Sequence, residues 1–219
     1  MEVDKRRLVM GKIVYLGHAS FLLKGDTYSV VVDPYQENSV PNLRFPKVEE
    51  VDAVVCSHEH ADHNARDLVN IKNNPHSVNP LSITVPHDHE GGAKRGLNHI
   101  NMFEIEGYKI VHLGDTGCLV DEKTLAPFKN CDVLLAPING FFTIGPKELL
   151  EIYRIVRPRI IIPMHFYMKE YQSGYPDGNM IEEYKKLFPE TQYIDGFELD
   201  LEKYKLYHGS LIFKKYLQN

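Results

Sequence analysis

Residues 57–63 read Ser57-His58-Glu59-His60-Ala61-Asp62-His63 and place three imidazoles and an aspartate carboxylate within six residues. Such a density of nitrogen and oxygen donors is typical of a site that binds a metal ion. The stretch follows Val51–Cys56, an apolar segment that predicts a buried strand. We therefore expect the donors in a loop at a strand end, where a rigid scaffold holds functional residues.

Three further donor positions also follow predicted strands. A lone histidine at a strand end is more often structural than a ligand, and a single aspartate is common in turns. Several such positions in one chain favour a shared site, because strand ends on one side of a sheet converge. Within the first stretch, His58 and His60 can face one ion, whereas Asp62 and His63 point away from it and indicate a second ion. The other positions are His87-Asp88-His89, Asp115 between Gly114 and Gly117, and His165.

The composition is that of an ordinary globular protein. Of 219 residues, 43% are hydrophobic and 25% charged, and the net charge of −5 lacks the basic face that nucleic-acid binding needs. The three cysteines, at irregular spacing, do not form a disulfide framework. No apolar run approaches the roughly 20 residues of a membrane span, and no signal peptide is visible. We expect a cytoplasmic protein that binds neither membranes nor nucleic acid.

Strands dominate the first half of the chain and strand–helix units the second. Residues 12–33 alternate apolar and polar positions and predict two or three antiparallel strands. The clearest helix is Pro146–Val156, with proline at its first turn. Helices outside two central sheets, in one domain over residues 1–219, fit this order. Helices are also predicted at Asn64–Lys72, Glu122–Phe128 and Met180–Leu187, and strands at Ser82–Val85, Asn98–Glu106, Lys109–Leu113, Asp132–Ala136, Ile160–Ile162 and Ser210–Phe213.

The histidine stretch has the form HxHxDH and resembles the signature of the metallo-β-lactamase superfamily. The chain is more closely similar to the stand-alone metal-dependent hydrolases related to ascorbate-6-phosphate lactonase. That likeness extends over roughly residues 12–170. It rests on Tyr15–Phe21, Val31–Pro34, His87–Gly96, His112–Gly117 and Ile162–His165.

The resemblance implies a four-layer αββα sandwich with a dinuclear site at one edge of the sheets. His58, His60 and His87 would hold the first ion, with His89 as the alternative to His87. Asp62, His63 and His165 would hold the second ion, and Asp115 would bridge the two.

Such a site implies a metal-dependent hydrolase. Two divalent ions, Zn²⁺ or Mn²⁺ with Fe²⁺ as a further candidate, would lower the pKa of a bridging water toward neutrality and make a hydroxide nucleophile. Asp62 would orient that hydroxide as well as bind metal. The substrate would be a small-molecule ester, lactone, amide or phosphodiester. The alternatives are a non-catalytic relative that binds metal or ligand, and a di-iron redox protein, which His60 disfavours because that branch has glutamate there.

Four more residues are candidates for supporting roles. His18 and Asp33 end early strands, where they would fix the ligand imidazoles. His18 could instead line the pocket, and ordinary turn roles for both residues are about equally compatible with the sequence. Lys94 and Arg95 could meet an anionic group of the substrate, although a solvated pair of loop charges fits as well. His112 is predicted to be structural.

Overall fold

The computed structural model describes residues 11–176 and 178–218. Within them the chain forms twelve strands and three α-helices. The strands are β1 (Lys12–Gly17), β2 (Ser20–Lys24), β3 (Ser29–Val32), β4 (Ala53–Val55), β5 (Leu81–Pro86), β6 (Leu97–Ile105), β7 (Tyr108–His112), β8 (Val133–Pro137), β9 (Ile160–Met164), β10 (Gln192–Ile194), β11 (Glu198–Asp200) and β12 (Gly209–Phe213). The helices are α1 (Glu122–Leu125), α2 (Pro146–Val156) and α3 (Met180–Leu187).

The first sheet has five strands in the order β11-β1-β2-β3-β4, antiparallel except for the parallel pair β3 and β4. Because successive side chains of a strand point to opposite faces, strands β1 to β4 each contribute to two apolar clusters. In β1, Ile13 and Tyr15 enter the main core, whereas Val14 and Leu16 pack into a smaller cluster on the other face. This sheet is therefore covered on both sides.

The second sheet has seven strands in the order β10-β12-β9-β8-β7-β6-β5. Strands β5, β6 and β7 form an antiparallel meander, and β7, β8, β9, β12 and β10 run parallel. Every residue of β8 and β9 is buried. A continuous apolar run is typical of parallel strands that are covered on both faces.

Helix α2 is amphipathic and covers part of the main core. Leu149, Ile152 and Val156 lie on one face at helical spacing and are fully buried, which stabilises the fold by about 1.5–3 kcal/mol per side chain. The Glu148 carboxylate accepts the Gly145 N–H at its first turn. The helix ends at Arg157, whose backbone is left-handed with φ 51°.

Helix α3 lies beside α2 and beside strand β12. The Phe188 ring, which follows α3, lies 5.2 Å from the Tyr153 ring of α2. The hydroxyls of Tyr184 and Ser210 lie 2.7 Å apart and link α3 to β12. Within the described residues, no helix has the length and apolar character required to cross a bilayer.

The predicted two-sheet α/β sandwich is confirmed, with local differences. Strand β4 is shorter than the predicted Val51–Cys56 and only half-buried, because it is an edge strand. Asn64–Lys72 is not an α-helix but holds only the 3-10 turn Arg66–Leu68. Its last residues are drawn into extended pairing with Val51, which exchanges backbone hydrogen bonds with residues 70 and 72.

Two strands and one covering layer differ from the predicted pattern. Strands β10 and β11 have three residues each, too few to show a period of two in the sequence. The far face of the first sheet is covered by loop residues such as Phe45 and Val48 and by Val69, which follows the 3-10 turn. The main core takes side chains from both sheets, and a single domain over residues 1–219 stays a prediction.

Candidate metal centre

Six loops that leave the C-terminal ends of strands meet at one edge of the two sheets. The backbone N–H of His165, after β9, donates to the carbonyl of His18, after β1, at 3.0 Å and thus ties the two sheets together there. The donors that these loops carry are His18 after β1, Asp33 after β3, His58, His60, Asp62 and His63 after β4, His87 after β5, Asp115 after β7 and His165 after β9.

The structure brings all seven predicted ligand residues into three overlapping groups, within each of which the donor atoms lie within 4.8 Å of one another. Asp115 is central, because its Oδ2 lies 3.2 Å from the Nε2 atoms of both His63 and His165 and 3.6 Å from that of His87. The groups are His58, His60 and His87; His18, Asp62, His63 and His165; and His58, His63 and Asp115.

Of the two histidines in His87-Asp88-His89, only His87 faces the cluster. His87 is 1% exposed, whereas the His89 side chain is 67% exposed and its Nε2 lies 3.7 Å from a Glu148 carboxylate oxygen. The middle residue, Asp88, has a third role. Its carboxylate accepts four backbone N–H groups, those of Glu90, Gly92, Lys94 and Arg95, at 2.7–2.9 Å.

These hydrogen bonds make Asp88 the organiser of the loop that carries His87. Burial acts to raise the pKa of Asp88, but the four backbone donors outweigh it and hold that pKa below the ordinary value. The anionic carboxylate thus holds residues 88–95 in a compact loop. Asp88 therefore supports the loop. The sequence pattern places it among the candidate donor positions, but it belongs to none of the three donor groups.

The donor set fits divalent cations. Nε2 of His58, His63 and His165, Nδ1 of His87 and Oδ1 of Asp115 are buried and have no hydrogen-bond partner. Leaving such an atom unsatisfied costs about 1–3 kcal/mol, so a concentration of them in one place requires an explanation. Ring nitrogens and carboxylate oxygens in this arrangement are the ligands that Zn²⁺ or Mn²⁺ would take.

Asp33 fixes the proton positions of two of these imidazoles. Its Oδ2 accepts from His63 Nδ1 at 2.8 Å and from Ser57 Oγ at 2.6 Å. Since the Ser57 hydroxyl proton is used there, Ser57 Oγ must accept from His58 Nδ1, which is 3.0 Å away. Both rings therefore carry a proton on Nδ1 and direct their Nε2 atoms at the cluster, as in carboxylate–histidine–metal arrangements.

The electrostatics of the cluster also favour cations. Burial, with the neighbouring His63 as the second cause, lowers the pKa of His58 to about 3, so its imidazole is neutral and its lone pair is available. Burial also acts to lower the pKa of His63, but the surrounding carboxylates, Asp115 foremost, raise it well above the ordinary value. A site that stabilises a proton on a fully buried imidazole would stabilise a metal ion in the same place.

His18 lies directly against the cluster and shares a donor group with Asp62, His63 and His165. Its Nε2 lies 3.3 Å from Asp62 Oδ2, and its ring centroid lies 4.0 Å from that of His165. Burial and the neighbouring His165 lower the pKa of His18 to about 4. The neutral ring then donates from Nε2 to Asp62, and its buried Nδ1 has no partner.

Three residues of the site have left-handed backbones although they are not glycine. The φ angles are 56° at His18, 49° at Asp33 and 54° at His165. Each such conformation costs on the order of 1 kcal/mol, and residues of this kind cluster at functional sites. At each of these positions the chain turns as it leaves its strand, and the side chain of each residue contacts other members of the cluster.

The loop that carries Asp115 is held by a buried amide. Asn98 Oδ1 accepts the backbone N–H of Asp115 at 2.8 Å, and its Nδ2 donates to the Leu113 carbonyl at 2.8 Å. A side chain at Gly114 would place Cβ 2.2 Å from Asn98 Oδ1, and one at Gly117 would place it 2.1 Å from the His87 carbonyl carbon. Both glycines are required for the close packing of this loop against its neighbours.

The remaining candidates divide between structural and exposed positions. His112 is structural in its contacts: its Nδ1 accepts from Gly114 N–H at 3.0 Å and its Nε2 donates to the Ala19 carbonyl at 2.8 Å. The exposed Lys94 ammonium pairs with Glu90. The Arg95 guanidinium lies over the Phe141 and Phe142 rings.

Sequence reasoning missed three residues of this site. Ser57 relays the hydrogen bond of Asp33 to His58, and its place beside the histidine stretch was the available signal. Asn98 lies in a strand of alternating pattern, where a fully buried amide could have been recognised. Tyr175, whose ring stacks on that of His165 at 6.0 Å, comes from an irregular loop and has no sequence signal.

Comparison with known proteins identifies the family. Residues 12–165 match the beta-lactamase superfamily domain. The chain is 30% identical to a UPF0173 protein of Pyrococcus abyssi over 218 residues, which cover 86% of this chain and 100% of that protein. It is 26% identical to a UPF0173 metal-dependent hydrolase of Korarchaeum cryptofilum, with 77% and 88% of the two chains covered.

A solved structure agrees with these relatives. The crystal structure of a candidate Zn-dependent hydrolase of the metallo-β-lactamase superfamily from Thermotoga maritima matches with a TM-score of 0.71 and 30% identity, covering 93% of this chain and 98% of that one. The resemblance seen in the sequence motifs is thus confirmed over most of the chain. The chain belongs to the beta-lactamase superfamily and is a metal-dependent hydrolase.

Proposed function

We propose that the chain is a dinuclear metallohydrolase that cleaves an ester, lactone or phosphodiester bond of a small molecule. The observation that carries the proposal is the position of Asp115. Its carboxylate lies between two donor groups, and its Oδ2 is within 3.2–4.0 Å of imidazole nitrogens from both. A carboxylate in that position is suited to contact two cations at once.

The donor groups suggest one set of ligands for each ion. His58, His60 and His87 would hold one ion, Asp62, His63 and His165 the other, and Asp115 both. Nitrogen and oxygen donors without a thiolate suit Zn²⁺ and Mn²⁺, with Fe²⁺ as a third candidate. When bound, two such ions activate a water for attack and polarise the carbonyl or phosphoryl oxygen of the substrate.

The protein supplies orientation and proton handling. Burial acts to raise the pKa of Asp62, but His63 and the His18 hydrogen bond outweigh it and keep the carboxylate ionised. Asp62 is also among the more accessible members of the cluster, with 16% of its side chain exposed. It can therefore accept a hydrogen bond from the attacking water and orient it toward the substrate. Asp33 meanwhile holds the rings of His58 and His63 in their ligand tautomers.

The test combines metal content with turnover. We expect elemental analysis to find two ions per chain after loading with Zn²⁺ or Mn²⁺, and the loaded protein to hydrolyse members of a panel of bis(4-nitrophenyl) phosphate, 4-nitrophenyl esters and lactones. Asp115→Asn should lower turnover about 100-fold or more and reduce the metal content. The matched control is His89→Gln, which alters the neighbouring exposed histidine and should leave both unchanged.

Two results would contradict the proposal. A single ion per chain at saturation would exclude the dinuclear centre. Two ions without turnover on any panel member would favour the alternative of a relative that binds metal or ligand without catalysis.

A further inference from the structure

Two aromatic side chains approach the metal centre from the loop that follows β8. Asn139 Oδ1 accepts the backbone N–H groups of Phe141 at 3.3 Å and Phe142 at 3.0 Å and thereby fixes the turn that presents both rings. The Phe142 ring lies 5.1 Å from that of Tyr175, which in turn stacks on His165. Phe142 is therefore one ring removed from the proposed ligands.

Arg95 connects this turn to the loop that carries His87. Its backbone N–H donates to Asp88 Oδ2 at 2.8 Å, which anchors it in the same loop as His87. Its guanidinium carbon lies 5.4 Å from the centroid of Phe142 and 5.7 Å from that of Phe141. Contact with the two rings, whose planes are 87° apart, restricts the side chain, so the cation is held between the two loops.

Arg95 and Lys94 differ in their ion pairs within the part of the chain that the structure describes. No carboxylate pairs with the Arg95 guanidinium among residues 11–176 and 178–218, whereas the adjacent Lys94 pairs with Glu90. A guanidinium that lies over aromatic rings and has no carboxylate partner can offer its N–H groups as a forked pair of hydrogen bonds to a carboxylate or phosphate. Beside it, the Phe141 side chain is 70% exposed and offers an apolar surface.

We propose that Arg95, Phe141 and Phe142 form a recognition subsite for a substrate with an anionic group, a carboxylate or phosphate, carried on an apolar body. The apolar body rests on Phe141, the anionic group pairs with Arg95, and the scissile bond reaches the metal centre past Phe142 and Tyr175. Lys94 takes no part in recognition. This inference rests on the proposed hydrolase function and specifies its substrate class.

The first test compares esters that differ only in a distal charge. The substrates are 4-nitrophenyl hexanoate, 4-nitrophenyl hemiadipate and 4-nitrophenyl 5-phosphonopentanoate, assayed with the zinc-loaded wild-type protein, Arg95→Met and Lys94→Met. We expect the wild type to prefer the anionic esters. Arg95→Met should raise KM for them about 10–100-fold, the loss expected for a charged hydrogen-bonded pair, and leave kcat and the neutral ester unchanged.

The controls separate recognition from structure. Lys94→Met should behave like the wild type, and Arg95→Lys should recover part of the lost affinity. The relative Arg95 dependence of the hemiadipate and the phosphonate tells a carboxylate substrate from a phosphate substrate. An anionic preference that is absent, or equal in the wild type and Arg95→Met, refutes the subsite, while hydrolysis of the neutral ester still supports the proposed function.

A second measurement does not depend on turnover. Binding of phenylacetate to the zinc-loaded protein, followed by saturation-transfer NMR, should weaken at least about 5-fold in Arg95→Met and stay unchanged in Lys94→Met. Equal binding to all three proteins overturns the inference. Arg95-dependent binding in a protein that hydrolyses no ester supports the subsite and counts against the proposed hydrolase.

Discussion

Asp33 shows how one side chain can prepare several others for metal binding. It is fully buried, and burial acts to raise its pKa, but His63 and the other nearby imidazoles outweigh that effect and lower it. The carboxylate is therefore an anion, and it accepts hydrogen bonds from Ser57 and His63. Its contacts with His63 and, through Ser57, with His58 leave the Nε2 atoms of both rings on the side of the cluster.

Asp33→Asn should weaken metal binding without unfolding the protein. The amide nitrogen cannot accept a hydrogen bond from His63 Nδ1, so the ring loses its fixed tautomer and orientation. Loss of such a partner typically lowers metal affinity about 10–100-fold. Competition with a chromophoric chelator measures the change, and circular dichroism checks the fold. Unaltered zinc affinity in Asp33→Asn would show that the hydrogen bond is dispensable.

At the level of residues, the sequence indicated which side chains could bind metal better than it indicated which side chains contact one another. The density of donors in His58–His63 was visible without coordinates, because it depends on residue type and spacing alone. The roles of His18 and Asp33 stayed evenly balanced with ordinary turns, since only their hydrogen bonds to the loop after β4 distinguish them. The difference between Lys94 and Arg95 likewise depends on Glu90 and Phe142, which the sequence does not place.

At the level of elements, two loops must approach each other without a side chain between them. The loop after β7 passes against the loop after β5, and Gly117 N–H donates to the Pro86 carbonyl at 3.1 Å. Gly117 needs no unusual φ angle, so its requirement is purely one of space. The adjoining residues are the proposed ligands Asp115 and His87, and the spacing of the two loops therefore sets the geometry of the site.

Gly117→Ala should separate these loops and damage the metal centre. The new Cβ would overlap the backbone of residue 87 at 2.1 Å, and backbone cannot rotate away as a flexible side chain can. We expect a lower metal content by elemental analysis and a loss of stability of roughly 1–3 kcal/mol in urea unfolding. Gly96→Ala is the matched control, because it has φ 81° but nothing within 4 Å. Gly96→Ala should lose stability through backbone strain but keep a normal metal content.

A second link between elements depends on Asp52. Its carboxylate accepts from the backbone N–H and hydroxyl of Ser29, from Lys72 Nζ at 2.7 Å and from the His76 backbone N–H at 2.9 Å. Burial acts to raise its pKa, but these donors, Lys72 foremost, lower it well below the ordinary value. The carboxylate thus fastens the edge of the first sheet to the segment that follows it.

Asp52→Asn should destabilise the protein in a pH-dependent way. Because the folded pKa lies below that of the unfolded chain, near 4, the ionised carboxylate contributes its full stability above that value and loses it as the pH falls. We expect a deficit of about 1–2 kcal/mol at pH 7, limited by the solvent contact of Lys72, that shrinks below about pH 4. Urea unfolding between pH 3 and 7 measures it. A pH-independent deficit would contradict the ionic origin, and the exposed Asp67→Asn should show no comparable effect.

Elements with a clear period were predicted well, and short ones were not. Helices α2 and α3 have the predicted bounds, because each combines an apolar face with end signals. Strands β10 and β11 were missed, since three residues cannot display a pattern. The segment Asn64–Lys72 was predicted as a helix because local propensity does not include its pairing with Val51, which decides its conformation.

At the level of the whole molecule, the metal centre lies where the two sheets meet. Neither sheet contains it: His58, His63 and Asp33 come from the first, and His87, Asp115 and His165 from the second. The sequence could predict that strand ends on one side converge, but the register that brings Asp115 between the groups depends on packing of the whole core. Because the proposed ligands come from both sheets, metal binding would be thermodynamically linked to folding.

Metal loading should therefore raise the thermal stability of the protein. An ion that binds only the folded state at a thousand times its Kd stabilises by about 4 kcal/mol, which corresponds to a rise in Tm on the order of 10 °C for a chain of this size. Differential scanning calorimetry with Zn²⁺ and with a chelator measures the shift. Asp115→Asn should reduce it, because the carboxylate between the donor groups is lost. An identical Tm with and without metal would contradict this link between the sheets.

The hydrogen-bond relay from His63 through Asp33 and Ser57 to His58 has a consequence for how a two-ion centre would fill. His63 and His58 belong to different proposed ion sites, yet the same carboxylate orients both. Ordering of the relay by the first ion would leave less rotational freedom for the second to remove. By linkage, each ion would then strengthen the binding of the other, and titration curves would be steeper than those of two independent sites.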